Sequence, residues 1–432
     1  MLEIVATVLS LTLGTYCYVS FLKNERLRRR YEDMPTSKTI AVFIGDVELK
    51  GKAVLSVPLT APLSQRPAVW YTWSVEEEWQ RTEIVPVTKT DDKGKTYTVM
   101  EEQTRSGWTP IGGGTLWRRF FLKDDTGAVR IDPENAKVEP ILTVYKDCGP
   151  SDPFYYQNAP RTAIADSTGR RRFSESIVPI DADLFISGRS RVRDDAVAAE
   201  VAWDKESPDY LISVNPEEKI TASVRSAAIG SCVFFVLIAC FVFYAFWREI
   251  PMAFWGLAAG LGSLLPGWVW IVHQSMVKLK NRAKQARSNV DVELQRRYAL
   301  INPLVEAVKG IRDHEAETQK KIAELRAQLS VRKVSDAKEE GVLLPVAKQV
   351  IAVLEAYPVL KSQALFSNLQ KNLIETEDRI ALARQYYNDT VEYVNSRRES
   401  FPEGIVAKLS GVKRQDYFHA EAFERPPVQI EI

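Results

Sequence analysis

Chemistry at neutral pH needs groups that can move a proton, ligate a metal or attack a carbon, and this sequence supplies few of them in company. The four cysteines are Cys17, Cys148, Cys232 and Cys240, and three of them lie inside long apolar runs, which leaves Cys148 as the only thiol in a soluble segment. Neither a disulfide framework nor a zinc site of four cysteines or paired cysteines and histidines can be built from that set. The three histidines, His273, His314 and His419, are far apart in sequence, so a histidine dyad or metal cluster is poorly supplied. Acids remain. Glu306, Glu375, Glu377 and Asp378 fall on stretches of helical periodicity, and ferritin-like bundles do build sites from Glu with Glu-x-x-His. That motif is absent here, and charges at such positions more often form solvated helix faces. The expectation is no catalytic, cofactor-binding or metal-ligating residue, and no cofactor.

Two other stretches could be read chemically. "PIGGGTLWRRFF", Pro110 to Phe121, has the glycines of a phosphate cradle, but that mechanism needs them to open a helix. Here they run into a strand pattern, so a turn is expected. "GRRRF", Gly169 to Phe173, and "SGRSRVR", Ser187 to Arg193, are basic. They read as a solvated strand edge or loop, with a patch for anionic lipid headgroups as the second reading. The whole chain of 432 residues has a formal charge of +1, so nothing in bulk favours nucleic acid as a partner.

The elements that position these residues begin with three runs long enough for a bilayer, which takes about 20 residues. Ile4 to Leu22 has no charged segment before it and no small-residue cleavage site after it, and "KNERLRRR" follows, so it reads as a retained anchor. Ala227 to Trp247 and Met252 to Val272 are separated only by "REIP" and must form a tight hairpin. Trp247, Trp255, Trp268 and Trp270 sit toward the ends of these runs, as in aromatic belts. Gly256 and Gly260 have the small-xxx-small spacing of close helix contacts, or are ordinary members of a membrane helix. Lysine and arginine cluster after the first and third runs, which places both soluble regions in the cytoplasm by the positive-inside rule.

From about Thr36 to Thr221 short runs rich in β-branched and aromatic residues alternate with turn residues, the pattern of a β-rich domain held near the bilayer by a span on each side. "GDVELKGKAVLSVPLTAPLSQRPAVWYTWSVEEEW" and "SESIVPIDADLFISGRSRV" resemble the beside-a-membrane domain of the mitochondrial ubiquitin ligase of the GIDE type. That ligase carries a zinc RING after its second span, and no such Cys/His cluster occurs in this sequence, so ligase activity does not carry over.

From Lys278 the sequence turns charged and rich in Ala and Leu, with Val290, Leu294, Ile301 and Val308, joined by Leu304 and Ile311, on one stripe. No glycine or proline lies between Gly267 and Pro303, so the third span can continue as one helix over roughly 50 Å before Pro303 kinks it. A helix over Leu344 to Tyr357 and a long one from Lys361 to Arg398 follow. In the latter Leu373, Ile380, Tyr387 and Val394 repeat every seven residues, with Leu369, Thr376, Ala383 and Thr390 on the alternate seam. Asn388 and Asn395 lie one residue round from the first row, where their amides can bond across helices or to a returning chain. Phe401-Pro402 breaks the helix, and "EGIVAKL" opens a short segment that folds back.

"VDVELQRRYALINPLVEAVKG", the run from "LEAYPVLKSQALF" through "QYYNDTVEYVNSRRESFPEGIVAKLSGVKRQDYF" and the ending "ERPPVQIEI" resemble the LemA family, from about Arg282 to Ile432. The resemblance implies a membrane-tethered antiparallel bundle of long helices in a bacterium, and brings no catalytic residues. LemA proteins usually have one amino-terminal anchor, which a β-rich membrane module replaces here. The expected fold is thus a multidomain membrane protein: three transmembrane helices, a β-rich domain over 36–221 and a helical bundle over 278–432. The expected function is a non-enzymatic scaffold of the bacterial inner membrane, in contact with the bilayer and with membrane or envelope proteins. A hydrolase or ligase-like component is an alternative. Three spans without an interior charge offer no ion path in a monomer, so a pore would need a homo-oligomer.

Overall fold

Turn residues divide the first half of the sequence into short strands because β-branched and aromatic side chains fit a half-buried pleat and Gly, Pro, Asn and Asp do not. The computed structural model describes residues 2–90, 96–156, 160, 163–193, 195, 198–205, 207–247, 250–310 and 364–418. These divide into one unit of Ser37–Lys219 and another of Met1–Thr36 with Ile220–Ile432. The first holds β1 (Gly45–Val54), β2 (Leu59–Thr60), β3 (Pro67–Thr90), β4 (Thr96–Trp117), β5 (Phe120–Lys123), β6 (Ala128–Ile131), β7 (Lys137–Glu139), β8 (Ile141–Cys148), β9 (Ser167–Pro179), β10 (Asp183–Val192), β11 (Ala199–Ala202) and β12 (Leu211–Ser213).

Strands β1, β5, β6, β11 and β10 pair in that order, and β10 pairs back onto β1, closing a small barrel that β12 and β7 extend. Closure satisfies strand edges that would otherwise invite pairing with other chains. Its interior is apolar, with Leu49, Phe120, Leu122, Ile131, Ile186, Val201 and Ile212 all buried. Tyr210 fills the same core and spends its hydroxyl on the carbonyl of Asp132 at 2.9 Å. The ring needs a gap opposite. Gly188 supplies it: a Cβ there would stand 2.6 Å from Tyr210 Cδ2 and 3.0 Å from a Val201 methyl.

The turn between β5 and β6 is tied by one carboxylate. Asp124 accepts from the backbone and hydroxyl of Thr39 at 2.9 and 2.7 Å, from both groups of Thr126 at 2.7 Å, and from Gly127 N–H at 3.0 Å. Partial burial opposes its charge, but these donors outweigh it and hold the carboxyl at about 2.

A second sheet runs β2-β3-β9-β8, with β4 on β3. The glycines of "PIGGG" lie inside β4 and not at the expected turn. The β3–β4 register slips between Val75 and Glu76, opposite Gly112 and Pro110, and a Cβ on Gly113 would meet the Trp73 carbonyl at 2.8 Å. Glycine is there for close strand approach at a bulge. Pairing of β3 with β9 ends at Trp79, while β3 and β4 stay paired to Thr90 and Thr96. The last part is a two-stranded ribbon of roughly 37 Å at about 3.4 Å per residue.

The helical unit contains α1 (Leu2–Glu32), α2 (Glu217–Trp247), α3 (Ile250–Gly310), α4 (Ala364–Glu399) and α5 (Glu403–Leu409). Among the described residues two stretches, Glu217–Val242 and Trp255–Leu300, are long and apolar enough to cross a membrane, where three were expected. The expected first span, Ile4 to Leu22, lies in α1; its described side chains begin only at Leu9, too few for a span before Lys23. Small residues bring these helices together. Cβ positions on Gly14, Gly260 and Gly267 would stand 3.4 Å from Ile238, 3.1 Å from Ala239 and 2.5 Å from the Tyr18 hydroxyl. Of the two readings of Gly260, close packing is the one observed.

Helix α3 is continuous from the apolar run into the charged region, and Pro303 lies within it without ending it. At about 1.5 Å per residue its 61 residues span roughly 90 Å. It packs antiparallel on α4: Val272 meets the Val394 end, and Arg297 meets Glu377. Leu373, Ile380, Tyr387 and Val394 are buried as the sevenfold repeat requires, with Thr376, Ala383 and Thr390 on the other row. The buried threonine hydroxyls bond to carbonyls one turn back, Asn372 and Tyr386, each at 2.7 Å. On the facing helix Met276, Leu279, Ala283, Ala286, Val290 and Leu294 are buried. The expected helix over 344–357, Ile311, and the "ERPPVQIEI" ending lie outside the described residues, as do the side chains of Ile301, Leu304, Val308 and Leu369.

Gly188→Ala should cost about 1–3 kcal/mol through overpacking against Tyr210, measured by urea denaturation followed by tryptophan fluorescence. Asp124→Asn should lower stability at pH 7 by about 1 kcal/mol after allowance for solvent screening. Because the folded value lies below the unfolded one, that contribution is full above about pH 4 and disappears as pH falls through about 2. A difference that persists undiminished at pH 2 would contradict it.

Candidate functional site

Two of the acids singled out by the sequence, Glu375 and Glu377, are occupied by arginines. Arg297, fully buried on α3, lies 3.5 Å from Glu377; Arg379 holds Glu375 at 3.2 Å and reaches buried Glu293 at 3.7 Å. Asp378 is exposed. The side chain of Glu306, with His314 and His419, lies outside the described residues. His273 is paired with the hydroxyl of Ser410 at 2.7 Å. Cys148 is buried at the end of β8, and burial pushes its thiol up, away from the reactive thiolate. Among the described residues no three His, Cys, Asp or Glu side chains come together as a metal site.

The basic runs are not strand edges. Gly169–Phe173 lies on β9, between β3 and β8. Arg171 is buried against Glu77 at 3.0 Å and over the Tyr155 ring at 4.1 Å. Arg172 stacks on Trp108 at 4.0 Å and pairs with Asp147 at 3.0 Å. In the second run Arg191 holds Glu200 at 2.9 Å and Arg193 holds Asp195 at 2.8 Å. An arginine with a carboxylate on it has little field left for a lipid phosphate.

What the helical unit builds instead is a pair of holding devices. After α5 the chain returns along α4 as an extended strap, Val412–Phe418, antiparallel to it. Asn395 donates to the carbonyl of Gln415 at 2.9 Å and accepts its N–H at 3.0 Å. Asn388 does the same for Phe418, at 3.1 and 2.7 Å. Tyr387 Oη donates to the Asp416 carbonyl at 2.9 Å. Seven helical residues advance about 10.5 Å and three extended residues about 10 Å, so asparagines one heptad apart meet every third residue of the strap. The strap is thus held by its backbone, at about 1 kcal/mol for each bond. Phe418 adds a ring contact, edge-on to Tyr387 at 6.0 Å with Arg384 at 5.4 Å.

The other device is an ionic knot at the carboxyl end of α1. Arg29 bonds Glu25 at 2.9 Å and Glu403 of α5 at 2.8 Å. Arg397 of α4 bonds Asp33 at 2.5 Å and Glu403 at 2.9 Å. Asp33 also takes the hydroxyl of Ser275 at 2.7 Å, and its carbonyl takes Arg282 at 2.9 Å, both from α3. Burial raises Asp33 despite Arg397. Burial also opposes the charge on Glu25 and Glu403, but the arginines prevail and both lie below the ordinary glutamate value. "KNERLRRR" reads as a basic stop-transfer flank, but Glu25 and Glu32 lie four residues from Arg29 and Arg28 and pair with them, a spacing visible in the sequence.

Helices of membrane length feeding an antiparallel pair, in a chain that also holds a separate barrel unit, define the class. The LemA family model matches residues 286–432, and the GIDE model, described as an E3 ubiquitin ligase, matches residues 93–243. The chain therefore carries a LemA region at its carboxyl end and a GIDE region before it. The GIDE stretch contains Cys148, Cys232 and Cys240 and no histidine. Magnetosome protein MamQ of Magnetospirillum gryphiswaldense is 24% identical over 184 residues, 36% of this chain and 68% of that protein. MamQ 2 of Paramagnetospirillum magneticum is 31% identical over 80 residues, 18% of this chain and 29% of its own length. Protein LemA of Metamycoplasma hominis is 25% identical over 156 residues, 35% of this chain and 71% of that protein.

Arg397→Met should destabilise the helical unit by about 3 kcal/mol at pH 7, because Asp33 is left buried with its charge unmatched. Adding Asp33→Asn should recover a large part, and lowering pH should do the same as the raised carboxyl protonates. Denaturation of the solubilised chain measures this; no recovery in the double variant would refute the account.

Proposed function

We propose that this chain is a membrane-anchored, non-enzymatic scaffold of a bacterial inner membrane, with spans over 4–22, 227–247 and 252–272, a β-rich domain over 36–221 and a LemA-like helical bundle over 278–432. The observation that carries it is the contrast along α2 and α3. Only 6% of the apolar window of α2 is buried, whereas a core helix of that composition would be covered on most sides. Phe234, Leu237 and Phe241 of α2 and Leu261, Leu265 and Trp270 of α3 point outward, and hydrocarbon is the solvent that suits them. Beyond Val272 the same helix buries a seam against α4, so a change at the bilayer is passed to the stalk without a flexible joint. The LemA and MamQ relatives support this reading. The partners are the bilayer and membrane or envelope proteins that meet the helical surface and the barrel unit.

Placement on the cytoplasmic side follows from the basic residues after the first and third apolar runs. Cysteines introduced at exposed Ile374 and Met100 should resist a membrane-impermeant maleimide in intact bacterial cells and react once the cells are opened. Labelling of either position in intact cells would overturn the assignment.

A further inference from the structure

The strap is attached in a way that an identical segment could reproduce. Its bonds to Asn388, Asn395 and Tyr387 all use main-chain groups, and Arg398 adds one to the Val412 carbonyl at 3.3 Å. Lys413, Arg414, Asp416 and Tyr417 are exposed, and Val412 is the buried side chain at its start. The joint before it is Gly411, which is exposed at φ 65° and has no neighbour within 4 Å of where a Cβ would stand. Rotation there meets no side chain at Gly411 itself, but it breaks the bonds of Gly411 N–H to the Lys408 carbonyl and of Val412 N–H to the Ala407 carbonyl, each at 3.1 Å, and both must be remade in the exchanged form.

We propose that the asparagine-lined face of α4 is a docking site for an extended peptide, and that its occupant in trans is Val412–Phe418 of a second copy of this chain, exchanged reciprocally about Gly411. The site already holds this sequence, and every copy carries it. A reciprocal exchange remakes each bond and buries Val412 again, so only the hinge differs between the closed and exchanged forms. Tethering copies in one bilayer raises their effective concentration, which favours the exchanged form. The ligand must offer free N–H groups three residues apart, at Gln415 and Phe418, and an aromatic ring at the second. The inference rests on reading α4 as an interaction surface.

Two variants of the full chain in liposomes separate the two ideas. Asn388→Ala with Asn395→Ala removes the site and keeps the strap. Gln415→Pro with Phe418→Pro removes both strap donors and keeps the site. Labelled with donor and acceptor dyes, the two variants reconstituted together should show energy transfer several-fold above either variant alone. Energy transfer in the mixture no greater than in the single variants overturns the proposal. The peptide Val-Lys-Arg-Gln-Asp-Tyr-Phe should bind the proline variant, and its form with proline at the fourth and seventh positions at least tenfold more weakly. Peptide binding without energy transfer would leave α4 an interaction surface and sink the exchange; loss of both would sink the surface as well.

Discussion

One unbroken helix sets the terms for half of this protein. The apolar residues of α3 before Val272 suit hydrocarbon, and Met276, Leu279, Ala283, Ala286, Val290 and Leu294 beyond it are buried on the side of α4, yet no glycine or proline between Gly267 and Pro303 allows the two halves to turn independently. Each heptad of the stalk therefore inherits its rotational setting from the apolar segment. The seam has to be where the helix puts it. That is why α4 presents large residues on one row and Thr376, Ala383 and Thr390 on the other: small side chains let a second rigid rod approach without either one bending.

A rod so fixed still needs its ends located, and apolar contacts slide too easily to do that alone. The charged groups do it by direction. Arg29, Arg397, Asp33 and Glu403 come from three helices and the chain just after α1, and each has partners at fixed angles that no small shift preserves. Buried ion pairs add little net stability, because desolvation offsets their attraction. Their contribution here is to register, setting α1, the end of α4 and the start of α5 relative to α3. In the barrel unit Arg171 and Glu77 have the same relation to β9 and β3, where a one-residue slip would bury the wrong face of a strand.

Periodic features were legible in the sequence. The rows of Leu373, Ile380, Tyr387 and Val394, the continuity of α3, the break at Phe401-Pro402 and the returning chain beside Asn388 and Asn395 follow from spacing, because a helix maps spacing onto faces directly. Pairing between distant segments was not legible. Nothing local says that Arg171 meets Glu77, that Tyr210 needs the gap at Gly188, or that Glu403 comes back to Arg29. The glycines at Gly112–Gly114 misled for a related reason: glycine marks a place where backbones come close, and the sequence does not say whether a turn or a bulge brings them together.

The strap makes α4 a ruler. Seven residues of helix and three of extended chain differ by only a few tenths of an ångström, so the two lattices stay in step over several periods before the error matters. Side chains at Lys413, Arg414 and Tyr417 fall between the marks and are exposed. Length is not free. Adding or deleting one residue between Gln415 and Phe418 would move the second mark by a full residue, about 3.4 Å, and no choice of side chain could bring it back. Selection on this segment should therefore act on count before composition, a grammar of spacing in which most of the letters are silent.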